Sequence, residues 1–530
     1  MGVYINIGND GFASARRSEY VDKSGMIAHV NNTLYTERRL SCVTRCRRFG
    51  KSMAAKMLCA YYDQSCDSRH LFSDLAIARH PSFEEHLNKY PVIYLDMTEF
   101  MSRFHDEGIV SIIDTELKHD VMKAYPDVKV DEQDDFMGCL IAIFEATGNK
   151  FFFIIDEWDA ICREFSNGEA VMDAYINWLR RMFKGVNASR VFAGVYMTGI
   201  LPIKRYGTQS ALNNFQEYSM TAPHQLAGFF GFTEEEVRPL CAKYGMDFEE
   251  MKGWYDGYSF GLNYHGVFNP NSVITACFTG EYDNYWGRTS SFETLQRYID
   301  MNMTGVQDSL EELLRGAELR VSLLRFGFDV SAIGNDDELF TLLIHLGYLS
   351  YDIEERTVRI PNKEIRMEFV EALRGSKTHK NLQDMVKRSD RLMKATLSGD
   401  EKQVADIIGQ IHDSDAGPAF YNNEQALRSV LKLGYISAID DFVAIQELPT
   451  GKGYADLALI PRLGGRKPAV VVELKWNKTE HAAIDQIKRQ DYPDVLKRFT
   501  DRILLVGVNY DECSKQHTCK IERFFPPAQV

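Results

Sequence analysis

The chain has 530 residues, of which 45% are hydrophobic, 12% aromatic and 26% charged, a composition that excludes a disordered, collagen-like or low-complexity protein. Its 61 Lys and Arg against 75 Asp and Glu give a net charge of −14, which excludes a uniformly basic nucleic-acid coat. Residues 421–530 carry 16 basic and 14 acidic side chains, so the first 420 residues carry −16. A polyanion is therefore expected to approach the C-terminal part of the chain.

The ten Cys residues form no CxxC pair and no Cys/His group with zinc-like spacing. We interpret them as reduced thiols of a cytosolic protein. The beginning, MGVYINIGND, lacks the basic and apolar regions of a signal peptide. The longest uncharged apolar-rich stretch, 191–203, is shorter than the ~20 residues that a bilayer-spanning helix needs. We expect a soluble, cytoplasmic protein with no membrane partner.

The first part of the chain alternates apolar runs with longer helical patterns. Strands are predicted at 40–46, 90–97, 150–156, 190–198 and 217–222. Runs such as FFFII are apolar without alternation, which is typical of parallel strands covered on both faces. Helices of this length between strands indicate βαβ units. We predict an α/β multidomain protein whose residues 1–225 form a P-loop NTPase domain with a parallel sheet flanked by helices.

The middle region, 226–415, is predicted to be a mainly helical lid or linker. GFTEEEVRPLCAKYG has the pattern of a capped helix, with Thr233 as N-cap, Glu236 three residues later and Gly245 near the end. YLSYDIEERTVRI predicts a short hairpin. The aromatic residues of WYDGYSFG are compatible with a base-stacking platform, but a packed turn is the favoured interpretation of Trp254, Tyr255 and Tyr258.

Residues 416–530 are predicted to form a separate α/β domain of the restriction-endonuclease-like type. The predicted order is helix 421–433, strands 442–447, 454–460 and 469–475, helix 479–490 and strand 502–508. PTGKG and PRLGGRKP supply the intervening turns.

The segment RCRRFGKS, residues 45–52, follows a predicted strand and opens a helix. It matches GxxxxGK(S/T) except that Arg45 stands at the first glycine. In such a loop, backbone N–H groups wrap phosphates, Lys51 reaches the β- and γ-phosphates and the Ser52 hydroxyl ligates Mg²⁺. The chance occurrence of GKS at a loop–helix junction is the alternative. The residues predicted to bind nucleotide here are Arg47, Arg48, Phe49, Gly50, Lys51 and Ser52.

The apolar run 151–155 ends in Asp156 and Glu157. Acids at the C-terminal end of a buried strand lie where α/β sheets bind ligands. We predict that Asp156 holds Mg²⁺ and that Glu157 polarises the attacking water. Thr198, at the end of a later strand, is the predicted sensor of the γ-phosphate; a strand-end cap is the alternative.

A second group of residues lies in the C-terminal domain. Asp456, in YADLALI, and Glu473 and Lys475, in VVELKW, fall on two predicted strands joined by a turn, and Glu473 and Lys475 face the same side. Two carboxylates would hold Mg²⁺ or Mn²⁺, and Lys475 would orient the attacking water. Glu424 on the preceding helix is predicted to add a third carboxylate. Gln486 on the following helix is predicted to contact either this site or the DNA backbone. A solvated pair of charges is the alternative.

These residues carry a resemblance that spans nearly the whole chain. EYVDKSGMIAHV, RCRRFGKS, FFFIIDEWDA, MTGILPI, ALNNF, GFTEEEV, WYDGYSFG, VFNPNSV, HLGYLSYD and IPNKE resemble the bacterial AAA-ATPase-like family, and YADLALI, VVELKW and AIDQIKRQDY resemble the PD-(D/E)XK nuclease-superfamily domain in which its members often end. The sequence departs from the patterns at Arg45 and at Ala455, which stands where the superfamily's name has Pro. The roles that the resemblance implies fall on Lys51, Ser52, Asp156, Glu157, Asp456, Glu473 and Lys475.

The resulting hypothesis is an ATP-binding, hydrolysing switch coupled to a metal-dependent nuclease-like domain that acts on DNA, in defence against mobile DNA or in its maintenance. The expected cofactors are ATP and Mg²⁺, with Mn²⁺ as an alternative metal at the nuclease site. The sequence does not decide between a monomer and a homo-oligomer. Two alternatives remain: the C-terminal domain binds nucleic acid or protein without cutting, or the loop is degenerate and the chain is a scaffold.

Overall fold

The computed structural model describes residues 2–104, 108–131, 133–164, 169–203, 212–287, 292–301, 306–323, 333, 335–415, 430–431, 434–449, 454–461, 467–490, 496, 500 and 502–524. The chain divides into two compact units. The first comprises Met1–Gly280 with Arg320–Pro361, and the second comprises Glu281–Leu319 with Asn362–Val530. The three-part division at 225 and 415 stays a prediction.

A five-stranded parallel sheet organises the first unit, with strand order β2-β3-β4-β1-β5. Every predicted strand of this region is present, with somewhat different bounds. The strands are β1 (Leu40–Thr44), β2 (Val92–Asp96), β3 (Phe151–Asp156), β4 (Phe192–Gly199) and β5 (Gln216–Tyr218).

The sheet is covered on both faces, as its unbroken apolar runs predict. One face packs into a large buried core with Ile93, Phe153 and Val195 on the strands. The opposite face meets the helix Lys51–Tyr62, whose Tyr62 ring stacks on Phe152 with centroids 4.1 Å apart. That second face also carries polar groups, and these form the site described below.

Helices surround the sheet and continue into the rest of the first unit. Its α-helices are Asp10–Arg16, Gly25–Asn31, Lys51–Tyr62, Arg69–Phe72, Phe83–His86, Met97–Arg103, Ile109–Ala124, Phe136–Thr147, Ala160–Glu164, Glu169–Phe183, Val186–Val191, Glu234–Tyr244, Phe248–Tyr255, Pro270–Thr279 and Asp336–Leu346. Short 3₁₀ helices occupy Ala76–Arg79 and His224–Phe229.

The capped helix predicted after residue 231 is confirmed. Glu234–Tyr244 carries a capping box, in which the Glu236 carboxylate accepts a hydrogen bond of 2.8 Å from the backbone N–H of Thr233. Gly245 ends the helix in the left-handed conformation, with φ of 69°.

Two small hairpins complete the first unit. One pairs β6 (Tyr258–Phe260) with β7 (Tyr264–Val267). The other pairs β9 (Ser350–Asp352) with β10 (Thr357–Arg359), which confirms the predicted hairpin. The two-residue strand β8 (Leu319–Arg320) lies beside β10, which gives a three-stranded sheet of order β8-β10-β9.

The second unit begins with helices and ends with a mixed sheet. Its α-helices are Phe292–Ile299, Val306–Arg315, Lys363–Gly375, Lys380–Ser398, Glu401–Asp415 and Glu480–Arg489, with a 3₁₀ helix at Ile436–Asp440. Its sheet has the order β11-β12-β13-β14-β15, from β11 (Phe442–Pro449), β12 (Tyr454–Pro461), β13 (Ala469–Trp476), β14 (Ile503–Asp511) and β15 (Gln516–Phe524). β13 and β14 are parallel, and the other neighbours are antiparallel.

The helix Glu480–Arg489 is the crossover between the parallel strands β13 and β14. Ile484 and Ile487 fix it on the sheet, because both are buried against Val471 and Leu505. Gly507 on β14 allows the close approach, since a Cβ there would lie 2.3 Å from the carbonyl oxygen of Glu480. The helix therefore lies directly over the strand that carries Glu473.

Across the described part of the chain, no helix combines the length and the apolar character that a membrane crossing requires.

Candidate nucleotide and metal sites

The loop between β1 and the helix Lys51–Tyr62 has the conformation of an anion cradle. Arg48 has φ of 68° and Gly50 φ of 91°, so the chain turns through two left-handed residues before the helix begins. Within the described residues, the backbone N–H groups of Gly50, Lys51 and Ser52 meet no acceptor, and the first helical bond runs from Ala54 N to Gly50 O at 2.9 Å. Free N–H groups at a helix N-terminus bind phosphate oxygens. The loop therefore fits a nucleotide's phosphates.

The side chains of the loop lie in different environments. Lys51 is buried, and its Nζ donates to Cys46 O at 3.2 Å and lies 3.5 Å from Glu157 Oε1. Arg47 is half-buried, and its charge acts on Glu157. Phe49 is buried against the rings of Tyr258 and Phe260, at 5.0 and 5.6 Å, which leaves only its backbone for phosphate.

Arg45, at the position of the missing glycine, is fully buried and serves the loop's packing. Its Nη1 donates to the carbonyl oxygens of Thr44 and Tyr218, both at 2.7 Å, and its guanidinium lies over the rings of Phe230 and Phe260 at 5.0 and 5.3 Å. Burial lowers the pKa of Arg45 to about 10. The Arg45 side chain therefore packs inside the protein, at the position where the GxxxxGK(S/T) pattern has a glycine without a side chain.

Asp156 ends β3 and is fully buried beside the loop. Its Oδ2 accepts a hydrogen bond of 3.2 Å from Tyr94 Oη. Burial raises the pKa of Asp156 to about 6, against a hydrogen bond from Ser52 and the charge of Lys51, which lower it. The structure thus brings together Lys51, Ser52 and Asp156, which are predicted to hold phosphate and Mg²⁺. A carboxylate and a hydroxyl are the hard oxygen donors that Mg²⁺ requires, so this donor set fits the metal.

Glu157 follows Asp156 in a strained backbone conformation, with φ of 52°. Its carboxylate faces two cations, Lys51 at 3.5 Å and Arg163 at 2.5 Å. Burial alone would raise the pKa of Glu157, but the charges of Lys51 and Arg163 outweigh it, and the pKa lies below its ordinary value.

Thr198 lies at the end of β4 and is fully buried. Its Oγ1 donates to Val43 O on the neighbouring strand at 2.9 Å. In this conformation the hydroxyl joins two strands, and its role as a γ-phosphate sensor stays a prediction.

The aromatic residues of WYDGYSFG form a packed turn. Trp254, Tyr255 and Tyr258 are buried, and Tyr258 Oη donates to Gly347 O at 2.7 Å. The packed-turn interpretation is confirmed, and these rings offer no stacking surface. Tyr258, together with Phe260 of the same segment, packs against Phe49 of the loop between β1 and the helix Lys51–Tyr62.

The second site lies where β12 and β13 separate. The ladder between these two strands ends at the pair Leu457–Val472. Beyond that pair lie Asp456 on β12 and Glu473 on β13. Asp456 Oδ2 accepts the backbone N–H of Leu474 at 2.9 Å. Continuing the register places the two carboxylates opposite each other on one face, beneath the helix Glu480–Arg489.

Glu473 is the centre of this site, with 3% of its side chain exposed. Its Oε1 accepts hydrogen bonds from Lys475 Nζ at 2.9 Å and from the Gln486 side-chain amide. Its Oε2 is buried and has no hydrogen-bond partner within the described residues. Burial and the charge of Asp456 raise the pKa of Glu473 to about 7, although Lys475 opposes the shift.

This donor set fits a hard divalent cation. One buried carboxylate oxygen lacks a partner, and the repulsion between two carboxylates is relieved by a positive charge placed between them. The predicted members Asp456, Glu473, Lys475 and Gln486 are together, while Glu424 lies outside the described residues. No group of three metal-ligating side chains occurs in the part of the chain that the structure describes.

Sequence reasoning did not find Arg163, Asp159 or Tyr94. The i,i+4 spacing of Asp159 and Arg163 was the available signal, since such pairs meet on a helix. Tyr94 gave no signal, because its contact with Asp156 joins two strands 62 residues apart.

Two family models match separate parts of this chain. A family model described as "Predicted AAA-ATPase" matches residues 6–208, and a model of the PD-(D/E)XK nuclease superfamily matches residues 422–520. No curated protein matches the chain. Among solved structures, the ORC2 protein of Aeropyrum pernix, solved in ADPNP and ADP complexes, is 12% identical, with a TM-score of 0.24 over 69% of this chain and 94% of that chain.

Proposed function

We infer that this chain is an ATP-hydrolysing switch coupled to a metal-dependent nuclease acting on DNA. Residues 6–208 match the family model described as a predicted AAA-ATPase, and residues 422–520 match a model of the PD-(D/E)XK nuclease superfamily. The observation that carries the nuclease assignment is the buried Oε2 of Glu473, which lies near Asp456 and has no hydrogen-bond partner among the residues that the structure describes. Most buried carboxylate oxygens are hydrogen-bonded, so an unsatisfied oxygen beside a second carboxylate favours a metal ligand.

In the nucleotide site, the N–H groups that open the helix Lys51–Tyr62 and the Lys51 ammonium bind the β- and γ-phosphates. Ser52 and Asp156 hold Mg²⁺, which neutralises phosphate charge. Glu157 accepts a proton from the attacking water as its oxygen bonds to the γ-phosphorus. The bond from that phosphorus to the bridging oxygen breaks, and ADP leaves with the electron pair.

In the nuclease site, Asp456 and Glu473 hold Mg²⁺ or Mn²⁺, which supplies Lewis-acid stabilisation of a phosphodiester when bound. Lys475 lies on the same face and keeps its ammonium against Glu473, where it orients water and stabilises negative charge on the phosphate. Gln486 fixes the other side of the Glu473 carboxylate from the helix above.

DNA is the proposed substrate because the C-terminal segment is the part of the chain that does not repel a polyanion. Residues 421–530 carry a net charge of +2, whereas the first 420 residues carry −16. Nucleotide state is the proposed control on cleavage, and defence against or maintenance of mobile DNA is the proposed setting.

The test is DNA cleavage by the full chain with Mg²⁺ or Mn²⁺, with and without ATP, for wild type and Asp456→Ala. Asp485→Ala is the matched control, because Asp485 is an exposed carboxylate next to Gln486. Cleavage that depends on metal and is lost only in Asp456→Ala is expected. DNA binding without cleavage in wild type would instead favour a binding module, and the absence of both would remove DNA as the substrate.

A further inference from the structure

A chain of charged side chains extends from the candidate nucleotide site to the segment that follows β4. Glu157 Oε1 faces Lys51 Nζ at 3.5 Å, and Glu157 Oε2 faces Arg163 Nη2 at 2.5 Å. The two oxygens of one carboxylate thus meet two different cations. Only the contact with Arg163 has the length of a charge-assisted hydrogen bond.

Arg163 is itself held in place from the other side. Its Nε lies 3.2 Å from Asp159 Oδ2. Asp159 is fully buried and accepts the backbone N–H groups of Ile200 and Leu201 at 3.1 and 2.9 Å. The arginine is therefore tied through Asp159 to the segment that leaves β4.

Gly199, the last residue of β4, makes this arrangement sterically feasible. A Cβ at Gly199 would lie 2.4 Å from Asp159 Oδ1 and 2.6 Å from the Trp158 ring. The backbone after β4 therefore approaches Asp159 as closely as a glycine permits. This closeness is what lets two successive N–H groups reach one carboxylate.

We propose that Arg163 is the positioning residue of Glu157, a role that rests on the ATPase activity proposed above. The Lys51 contact is the longer one, and Lys51 Nζ turns to the phosphates when nucleotide binds. Glu157 Oε1 is then left to accept a hydrogen bond from the attacking water, while Arg163 holds Oε2 and the side chain's direction.

The backbone of Glu157 explains why such a restraint is needed. A non-glycine residue at φ of 52° is strained, and strained residues persist only where surrounding contacts fix them. A carboxylate that acts on water must also be placed to within a fraction of an ångström, since a 1 Å misplacement costs about 10²-fold in rate. Arg163 supplies the contact that satisfies both requirements.

The experiment compares Arg163→Gln, Arg163→Lys and wild type in steady-state Mg·ATP hydrolysis by the full chain. Binding of a non-hydrolysable ATP analogue and the melting temperature are measured alongside. Arg190→Gln is the matched control, because Arg190 forms a surface ion pair with Glu145 at 3.0 Å in the same unit. Arg163→Gln is expected to lower kcat by between tenfold and about 10²-fold, with KM and analogue binding unchanged. Its melting temperature is expected to fall, because the buried Asp159 loses its counter-charge.

Arg163→Lys is expected to recover part of the lost kcat, because it keeps a cation near Glu157 but not the two-sided contact of a guanidinium. A rise in kcat would overturn the proposal in favour of an inhibitory latch. An unchanged kcat, or a loss of analogue binding as large as the loss of kcat, would overturn it too. Wild type without turnover would remove the proposed ATPase and this role together, whereas turnover that is lost in Glu157→Gln but intact in the Arg163 variants would overturn only this role.

Discussion

The side-chain amide of Gln486 donates a hydrogen bond to the carboxylate of Glu473, which lies 13 residues earlier and on a different element. The contact joins the crossover helix to β13 at the point where Lys475 also binds Glu473. Three elements, β12, β13 and the helix Glu480–Arg489, therefore contribute to one carboxylate pair. This arrangement allows the roles of its members to be separated by experiment.

Asp456→Ala and Glu473→Ala are expected to lose Mn²⁺ affinity, while Lys475→Ala is expected to retain most of it, because an ammonium is no ligand for a divalent cation. All three variants should lose DNA cleavage. Calorimetric titration of the nucleotide-free full chain with Mn²⁺ at pH 8.5 separates the two classes, with Asp485→Ala as the control. An equal loss of Mn²⁺ affinity in all three variants would contradict the assignment and indicate a structural defect.

Mn²⁺ affinity is also expected to depend on pH in the neutral range. The pKa of Glu473 is raised to about 7, so below that pH a proton occupies the carboxyl group and competes with the metal. Affinity should therefore rise with pH, by up to tenfold per unit below pH 7, and level off above it. The titration is repeated from pH 5.5 to 8.5, and the heat remaining in Asp456→Ala is subtracted. A constant affinity between pH 6 and 7 would show that Glu473 is already ionised.

The same shift predicts how the metal-free protein responds to pH. The folded state keeps a proton on Glu473 that the unfolded chain releases above its ordinary pKa of 4.5. Stability is therefore lost as pH rises from about 4.5 through 7, and the loss is complete above 7. Thermal melting in the presence of a chelator should show this decline in wild type and a smaller one in Glu473→Gln.

Local sequence patterns were sufficient to predict every strand of the first sheet and four of the five strands of the second. The strands are apolar runs of ordinary length. In the first site Asp156 and Thr198 stand at the C-terminal ends of parallel strands, where this topology brings them together. In the second site Asp456 lies near the start of β12 and comes opposite Glu473 through antiparallel pairing. β15 escaped prediction because it buries little: among its nine residues only Cys519 is buried. An edge strand that faces water gives no apolar signal.

Contacts between residues far apart in the chain were not predictable. Arg45 was identified as a departure from the phosphate-loop pattern, but its partners Phe230 and Phe260 lie more than 180 residues later. Phe49 was assigned to the nucleotide, yet its side chain packs on the hairpin that begins at Tyr258. In both cases the loop's sequence is explained by tertiary packing, which a linear motif does not record.

Lys51→Ala is expected to abolish the stabilisation that Mg·ATP gives to wild type, which is about 2.7 kcal/mol at 100 times the dissociation constant. Lys51 is the first residue of the helix, and its ammonium lies 3.5 Å from the Glu157 carboxylate. Because this ion pair is long, the variant should still fold. Melting curves with and without Mg·ATP provide the measurement. Lys56→Ala, an exposed lysine of the same helix, should behave as wild type. A full melting shift in Lys51→Ala would remove the phosphate-loop assignment.

Glu157→Gln is expected to bind ATP normally and to hydrolyse it about 10²–10⁴-fold more slowly, the loss typical of removing a general base. The substitution keeps the size of the side chain, and the amide oxygen still accepts a hydrogen bond from Arg163, so the strained backbone and the neighbouring Asp156 stay in place. Phosphate release measured at saturating Mg·ATP gives kcat, and analogue binding gives the affinity. Glu145→Gln, which alters a surface partner of Arg190, is the control and should change neither quantity. Undiminished turnover in Glu157→Gln would assign the water-activating role to another residue, and a matching loss of ATP affinity would show that Glu157 acts through binding and not through the chemical step.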